Sequence, residues 1–179
     1  MANGWELRIT RLREDKRGKK RRTVGKYQVF RDDSPVTGLS GMIVETKGPG
    51  DNSHAGNNRR IKAGTYPLRS HSGPKYVTFG FTTSTNPTAL KRPALEVGKT
   101  APRGAILIHP GRGFLSSVGC FNPSKGLANA AADIDFADSR SRVIALIHDL
   151  RVFLGETFPP VNDKEIPLAS IIIEGEPSA

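Results

Sequence analysis

The sequence predicts a mainly β domain with one helix, at about residues 139–154, packed on it. Two observations support this fold class. In the first half of the chain, apolar residues alternate with polar ones, and this two-residue period is typical of half-buried strands. One later stretch instead spaces its apolar residues three and four apart, as an amphipathic helix does. The 179 residues suffice for one domain, 1–179, because neither a repeat nor a linker divides the chain.

Three strands are predicted near the N-terminus. The first is "WELRITRL" (5–12), whose first apolar residues occupy every second position. The basic run "DKRGKKRRTVGK" (15–26) follows and is expected to form a turn and a solvated loop. "YQVFRD" (27–32) and "GMIVETKG" (41–48) are the next two strands, and the polar segment "GPGDNSHAGNNRR" (48–60) is expected to be a loop.

The middle of the chain predicts three more strands. "IKAGTYPLRS" (61–70) has a glycine-led turn and then a short strand, and "YVTFGFT" (76–82) is rich in β-branched and aromatic residues. The segment 84–104 contains several prolines and little periodicity, so it is expected to be a loop. "AILIH" (105–109) is a continuous apolar run ended by Pro-Gly, which is typical of a central strand. His109 would be the last residue of that strand.

The predicted helix lies in "ADSRSRVIALIHDLRVFLGE". Its apolar stripe comprises Val143, Leu146, Ile147, Leu150, Phe153 and Leu154. The candidate N-cap residues are Asp138, Ser139 and Ser141. Gly155 stands where a C-terminal glycine is expected, and "IPLASIIIEG" (166–175) predicts a final strand.

The net charge favours an anionic partner. The chain carries 27 Lys and Arg against 17 Asp and Glu, a formal net charge of +10. Such a charge suits nucleic acid, an anionic membrane surface or an acidic cell-wall polymer. Much of it comes from the run 15–26, which lacks the alternating aromatics of a single-strand nucleic-acid groove. No apolar run approaches the roughly 18 residues that span a bilayer, and the charged N-terminus predicts no secretory signal peptide.

The four histidines and the single cysteine are the candidate metal ligands and catalytic groups. One cysteine excludes a disulfide within the chain. His54 and His71 lie in polar segments without a partner at ligand spacing, and His148 falls on the polar side of the helix. We therefore predict neither a metal site nor a cofactor.

His109 and Cys120 are the strongest chemical candidates. His109 ends a strand, and Cys120 follows eleven positions later, after the glycine-rich segment "GRGFLSSVG". A cysteine nucleophile needs a nearby base and backbone N–H groups aimed at the oxyanion, and a Gly-Cys turn supplies such groups. The alternative is a buried structural thiol, because free cysteines are among the most buried residues. The spacing alone leaves both interpretations open.

Several ordered pieces of the sequence resemble one family. They are "IKAGTYPL", "ILIHPGR", "SSVGC", "GCFN", a Ser-led helix and the strand "ASIII". A strand ending in "IHPG" and followed by Ser-x-Gly-Cys is similar to the signature of the L,D-transpeptidase superfamily, and the pieces resemble most its small phage and bacterial members. The likeness covers about residue 61 to the end. It implies an L,D-transpeptidase-like β-sandwich or barrel.

The resemblance also implies roles for individual residues. Cys120 would be the nucleophile and His109 the base, while Ser117 and Gly119 would shape the turn and the oxyanion hole. The substrate-binding residues would be Gly111, Arg112, Ser116 and Arg140. The two arginines are the candidates for pairing with a carboxylate of the substrate.

The implied function is cysteine-dependent acyl transfer on peptidoglycan stem peptides, by transpeptidation, exchange or L,D-carboxy- or endopeptidase cleavage. An antibacterial effector or a phage lysis protein would do this in the periplasm or cell wall after delivery by a secretion system or a phage, and otherwise the protein would stay cytoplasmic. Its partners would include an immunity protein, a secretion-system component or a phage component. The first alternative is a non-catalytic module that binds cell wall or virion. The second is nucleic-acid binding through the run 15–26.

Overall fold

The computed structural model describes residues 4–178 and confirms the predicted fold class: the chain is mainly β, with a nearly closed barrel and a single α-helix in this range. The strands are β1 (Trp5–Arg17), β2 (Lys20–Arg31), β3 (Ser34–Thr46), β4 (Gly64–Arg69), β5 (Tyr76–Val77), β6 (Arg92–Pro93), β7 (Leu95–Val97), β8 (Leu107–Ile108), β9 (Asn122–Ser124) and β10 (Glu165–Glu174). The helix α1 spans Phe136–Leu154, and a 3-10 turn covers Gly155–Thr157.

Eight strands form one sheet in the order β8-β7-β4-β10-β1-β2-β3-β9. The pairing of β1 with β10 is parallel, and the other neighbours in this sheet are antiparallel. The two edges of the sheet meet where Ile108 of β8 faces Phe121, the residue before β9. Strands β5 and β6 form a separate parallel pair.

The core lies inside this curved sheet and beneath α1. Trp5, Leu7 and Ile9 of β1 all face inward, which confirms the alternation predicted from the sequence. The helix buries four residues of its predicted stripe against them: Val143, Leu146, Ile147 and Leu150. Trp5 also donates from Nε1 to Asp149 Oδ2 over 2.8 Å, so one hydrogen bond fixes the helix to the first strand.

The basic run 15–26 contains the predicted turn and several exposed basic residues, but it is not a loop, and Arg22 within it is not solvated. Strands β1 and β2 continue through it as a hairpin, and the turn occupies only Gly18 and Lys19. Arg22 is fully buried, and it donates to Asp15, to the Phe114 carbonyl and to the Asn129 carbonyl. A guanidinium is buried in this way when its N–H groups find acceptors, and the two carbonyls that accept here lie about 100 residues away in the chain.

The boundaries of other elements also differ from those predicted. Only Tyr76–Val77 of the predicted strand 76–82 pairs as a strand. The helix begins at Phe136, before the predicted 139, and its N-cap is Asp135, whose carboxylate accepts from the Asp138 N–H. Gly155 ends the helix as predicted, and His148 is exposed as predicted. No helix in residues 4–178 is long and apolar enough to cross a membrane.

Candidate functional site

The closure of the barrel brings His109 and Cys120 together. The His109 N–H donates to the Phe121 carbonyl over 3.0 Å, and the Phe121 N–H donates to the Leu107 carbonyl over 2.8 Å. We call this pairing the seam. Ile108 and Phe121 face each other across it, and both are fully buried in the core. Because side chains alternate along a strand, the flanking His109 and Cys120 lie on the other face.

Both side chains line one open cavity of about 400 Å³. One wall is formed by the segment after β7 and the Gly-Cys turn, and another by the strand pair β5–β6. The lining residues that bear on the chemistry are Lys75, Tyr76, Arg92, Arg103, His109 and Cys120. The loop residues Ala55, Gly56 and Asn58 complete the rim. This cavity has the size of a small-ligand site.

His109 is held as a neutral base. It is only 4% exposed, and its Nδ1 lies 2.7 Å from the Pro110 carbonyl oxygen. Since a carbonyl only accepts, Nδ1 carries the proton, and Nε2 keeps its lone pair. Burial lowers the pKa of His109 to about 4; the bond to Pro110 opposes this shift, and the positive charge of Arg92 adds to it. The ring of Tyr76 packs against the imidazole with the centroids 4.4 Å apart.

Cys120 is half-buried and its thiol lies in a polar setting. The Leu107 N–H donates to Sγ over 3.3 Å, and Sγ lies 3.5 Å from the Ala105 carbonyl. Burial raises the pKa of the thiol above its ordinary value, while the Leu107 N–H and the charge of Arg103 act in the opposite direction. The resting cavity is therefore lined by a neutral thiol and a neutral imidazole.

The Gly-Cys turn is fixed by side chains on both sides. Ser117 Oγ lies 3.2 Å from the Cys120 carbonyl and 3.2 Å from Asn122 Oδ1, and its single proton serves one of them at a time. Asn122, which the sequence analysis did not single out, donates from Nδ2 to the His109 carbonyl over 2.9 Å. Ser117 and Asn122 thus connect the cysteine side of the seam to the histidine side.

Gly119 leaves room for an arginine. Its φ is 155°, and a Cβ atom there would lie 2.6 Å from Arg103 Nη2. Any larger residue would displace this guanidinium or the turn itself. Gly119, the glycine predicted to shape the oxyanion hole, thus also leaves the space that the Arg103 guanidinium occupies.

The predicted substrate-binding residues are dispersed. Ser116 lines the cavity, as do the predicted catalytic residues Ser117 and Gly119. Gly111 is buried outside it, with its N–H donating to Ser139 Oγ over 3.0 Å. Arg112 is exposed, and Arg140 is buried with Nη2 donating to the Thr82 carbonyl over 2.8 Å; neither lines the cavity.

The structure adds cationic residues to the site that sequence reasoning missed. Arg103 lies sixteen positions before Gly119, inside a segment predicted only as a loop. Lys75 lies just before β5, and Arg92 lies in its partner strand β6. The guanidinium of Arg92 lies 4.9 Å from the centroid of the Tyr76 ring. No local motif marks these residues, because only the fold brings them to Cys120.

Two other observations bear on alternative sites. Within residues 4–178, no group of three or more His, Cys, Asp or Glu side chains is arranged to hold a metal ion. A larger cavity, of about 620 Å³, lies on the outer face of strands β10, β1, β2 and β3. It contains no cysteine and no histidine, so we place the candidate chemistry at the smaller cavity.

Comparison with known proteins identifies no relative. The sequence matches no protein-family model, and it has no significant match among curated proteins or among solved structures.

Proposed function

We propose that this protein is a cysteine-dependent acyltransferase or peptidase with Cys120 as its nucleophile. The observation that carries the proposal is the seam: it holds Cys120 and a neutral His109 on one open cavity, with Nδ1 bonded to Pro110 and Nε2 free. A thiol with a base and backbone N–H groups in one turn is the arrangement that acyl transfer requires.

The reaction would proceed by two acyl transfers, each with one proton transfer to His109 and one from it. His109 Nε2 takes the proton from the thiol, and Sγ forms a bond to the carbonyl carbon of a peptide. The electron pair of the carbonyl moves to its oxygen, where backbone N–H groups of the Gly119–Cys120 turn stabilise the negative charge. Collapse of this intermediate breaks the C–N bond, and the leaving amine takes the proton from Nε2. An amine or water then attacks the thioester carbon and gives a proton to His109 Nε2; the C–S bond breaks, and Nε2 returns a proton to Sγ.

We further propose peptidoglycan stem peptides as the substrates. The resemblance of the IHPG and Ser-x-Gly-Cys motifs to the L,D-transpeptidase signature supports this choice. The charge of the cavity supports it too, because Lys75, Arg92 and Arg103 line it and no Asp or Glu does. Stem peptides carry carboxylates, which such a cavity attracts. Delivery by a secretion system or a phage, and an immunity protein as partner, rest on the resemblance alone.

The test is incubation with purified muropeptides followed by mass spectrometry. The parent protein is expected to give cleaved, exchanged or cross-linked products. Cys120→Ala should give none, and His109→Gln should lower the rate about 10²- to 10⁴-fold while the protein stays folded. Val152→Ala, on the exposed surface of α1, serves as the control with unchanged turnover. Identical products from the parent and Cys120→Ala would exclude Cys120 as the nucleophile.

A second candidate function is a non-catalytic module that binds cell wall through this cavity. The raised pKa of the Cys120 thiol favours it, because a thiol that stays protonated is a poor nucleophile. In that case Cys120→Ala would bind stem peptides as tightly as the parent, and neither would change them.

A further inference from the structure

The proposed reaction places a negative charge on Cys120 Sγ, and this charge must be stabilised. Both Cys120 and His109 rest in their neutral forms, so negative charge first appears on Sγ when the proton leaves it. In a half-buried site such a charge is costly unless a fixed positive group stands beside it. His109 becomes positive only at that same moment. A cation that is present throughout would lower the cost of the step.

Arg103 is positioned as that cation. It is 6% exposed and lines the cavity with Cys120. The turn before it is closed by two bonds to Thr100: the Arg103 N–H donates to the Thr100 carbonyl, and Thr100 Oγ1 donates to the Arg103 carbonyl over 2.9 Å. One end of the guanidinium is anchored, since Nη1 donates to the Asp51 carbonyl over 3.0 Å. The other end, Nη2, lies over the Cα of Gly119.

Arg103 also lacks a carboxylate of its own. The negative charge of Asp51, whose carbonyl anchors Arg103, opposes the lowering of the Arg103 pKa by burial, but the Asp51 carboxylate forms its ion pair with Arg59, at 3.9 Å. In the part of the chain that the structure describes, the buried arginines Arg11, Arg22 and Arg60 each pair with an acidic side chain, whereas Arg103 and Arg140 form no such pair. Of these two, only Arg103 lines the cavity with Cys120, where a cation without a paired carboxylate is available to a negative charge that forms during function.

We propose that Arg103 is the electrostatic partner of Cys120, and that its guanidinium stabilises the thiolate as the thiol loses its proton to His109. The inference rests on the proposed function and adds to it a residue from outside the Gly-Cys turn. The remaining titratable or charged side chains that line the cavity are Lys75, Tyr76, Arg92 and His109. Of these, Lys75, Tyr76 and Arg92 belong to the opposite wall, on or next to β5 and β6.

The test is the pH dependence of Cys120 alkylation by the neutral reagent iodoacetamide. In Arg103→Gln, which removes the charge and keeps a polar side chain, we expect the rate at pH 7 to fall about tenfold, as a rise of one unit in the thiol pKa produces. Arg103→Lys should stay within about threefold of the parent. Lys19→Gln removes one positive charge at the tip of the β1–β2 hairpin and should leave the profile unchanged.

Thermal unfolding of each variant separates this effect from loss of structure. If Arg103→Gln does not fold, Arg103→His replaces it, since its imidazole is neutral above pH 7 and should give the same tenfold loss. A profile in Arg103→Gln or Arg103→His that coincides with the parent's overturns the inference. So does a normal profile combined with a raised KM for muropeptides, which would make Arg103 a substrate-binding residue instead.

Alkylation needs no peptidoglycan, so the two proposals fail in different ways. Muropeptide turnover that disappears in Cys120→Ala, together with a thiol insensitive to Arg103, would remove only the role of Arg103. An Arg103-dependent thiol in a protein that leaves every muropeptide unchanged would remove peptidoglycan as the substrate and keep the pair.

Discussion

At the scale of single residues, the buried imidazole of His109 makes the free energy of unfolding depend on pH. The pKa of His109 is about 4 in the folded protein and about 6.5 in an unfolded chain. As the pH falls through 6.5, the unfolded chain binds the proton first, so acid favours unfolding. The contribution is complete above pH 6.5 and is lost progressively down to pH 4.

We therefore predict that His109 accounts for about 3 kcal/mol of the loss in unfolding free energy between pH 7 and pH 4. Chemical denaturation of the parent and of His109→Gln at pH 7, 5.5 and 4 would measure it. Other groups titrate in both proteins, so the difference between the two curves is the relevant quantity. Parallel curves would show that His109 titrates alike in the folded and unfolded states.

At the scale of elements, the β1–β2 hairpin holds the segments that precede and follow the nucleophile in the chain. Three of its arginines donate to carbonyls of that region: Arg13 to Leu127, Arg17 to Ala130, and Arg22 to both Phe114 and Asn129. Arg17 and Arg22 also lie over the ring of Phe114. The basic run thus supports residues on either side of Cys120 in the sequence.

Adjacent arginines in this hairpin provide a matched test. Arg22 is fully buried beside Asp15, whereas Arg21 is exposed. Arg22→Ala should lower the free energy of unfolding by about 3 kcal/mol, because it breaks the ion pair with buried Asp15, leaves the Phe114 carbonyl without its donor and removes a fully buried side chain. Arg21→Ala removes the same charge from the surface and should change it by less than about 0.5 kcal/mol. Urea denaturation compares them, and equal effects would contradict the buried role of Arg22.

The same hairpin shows how far the sequence could predict the fold. The alternation around Trp5 and Leu7 and the helical stripe around Val143 identify their elements, because burial of one face leaves a periodic pattern. The pattern disappears beyond Arg11, where arginines and acids occupy inward positions in pairs. Such pairs depend on partners far away in the chain, as Arg22 and Asn129 illustrate. A count of charges predicts solvent there, which is right for exposed residues such as Lys19 and Arg21 and wrong for Arg22.

The residues of the candidate site likewise divide into those that the sequence predicts and those that only the structure reveals. His109 and Cys120 are recognisable because a strand end, glycines and a short interval surround them in sequence. Asn122 and Arg103 are not, although Asn122 lies only two positions after the cysteine. Their importance comes from the seam and from the close approach of Arg103 Nη2 to Gly119, and neither leaves a local pattern.

At the scale of the whole molecule, the seam predicts slow amide exchange around the site. If the barrel closes as described, the N–H groups of His109 and Phe121 open only when the whole sheet unfolds. Native-state hydrogen exchange should then give both amides the protection of the β1–β10 pair. The exposed residue Val118, two positions before Cys120, should exchange much faster. Exchange of Phe121 at the rate of Val118 would mean that the barrel is open at this edge in solution.

Because of the seam, the distance in space between Cys120 and His109 does not depend on the number of residues that lie between them in the chain. The backbone hydrogen bonds of Phe121 with Leu107 and His109, together with the bond from Asn122 Nδ2 to the His109 carbonyl, set how far the sulfur lies from the imidazole. The intervening peptide is pinned at Gly113 by its bridge to Ile134, yet it reaches solvent at Ser116. Residues added at Ser116 would lengthen an outward excursion and leave both reactive groups where they are. The eleven-residue interval between His109 and Cys120 thus reflects the length of the connecting segment and is not a requirement of the reaction.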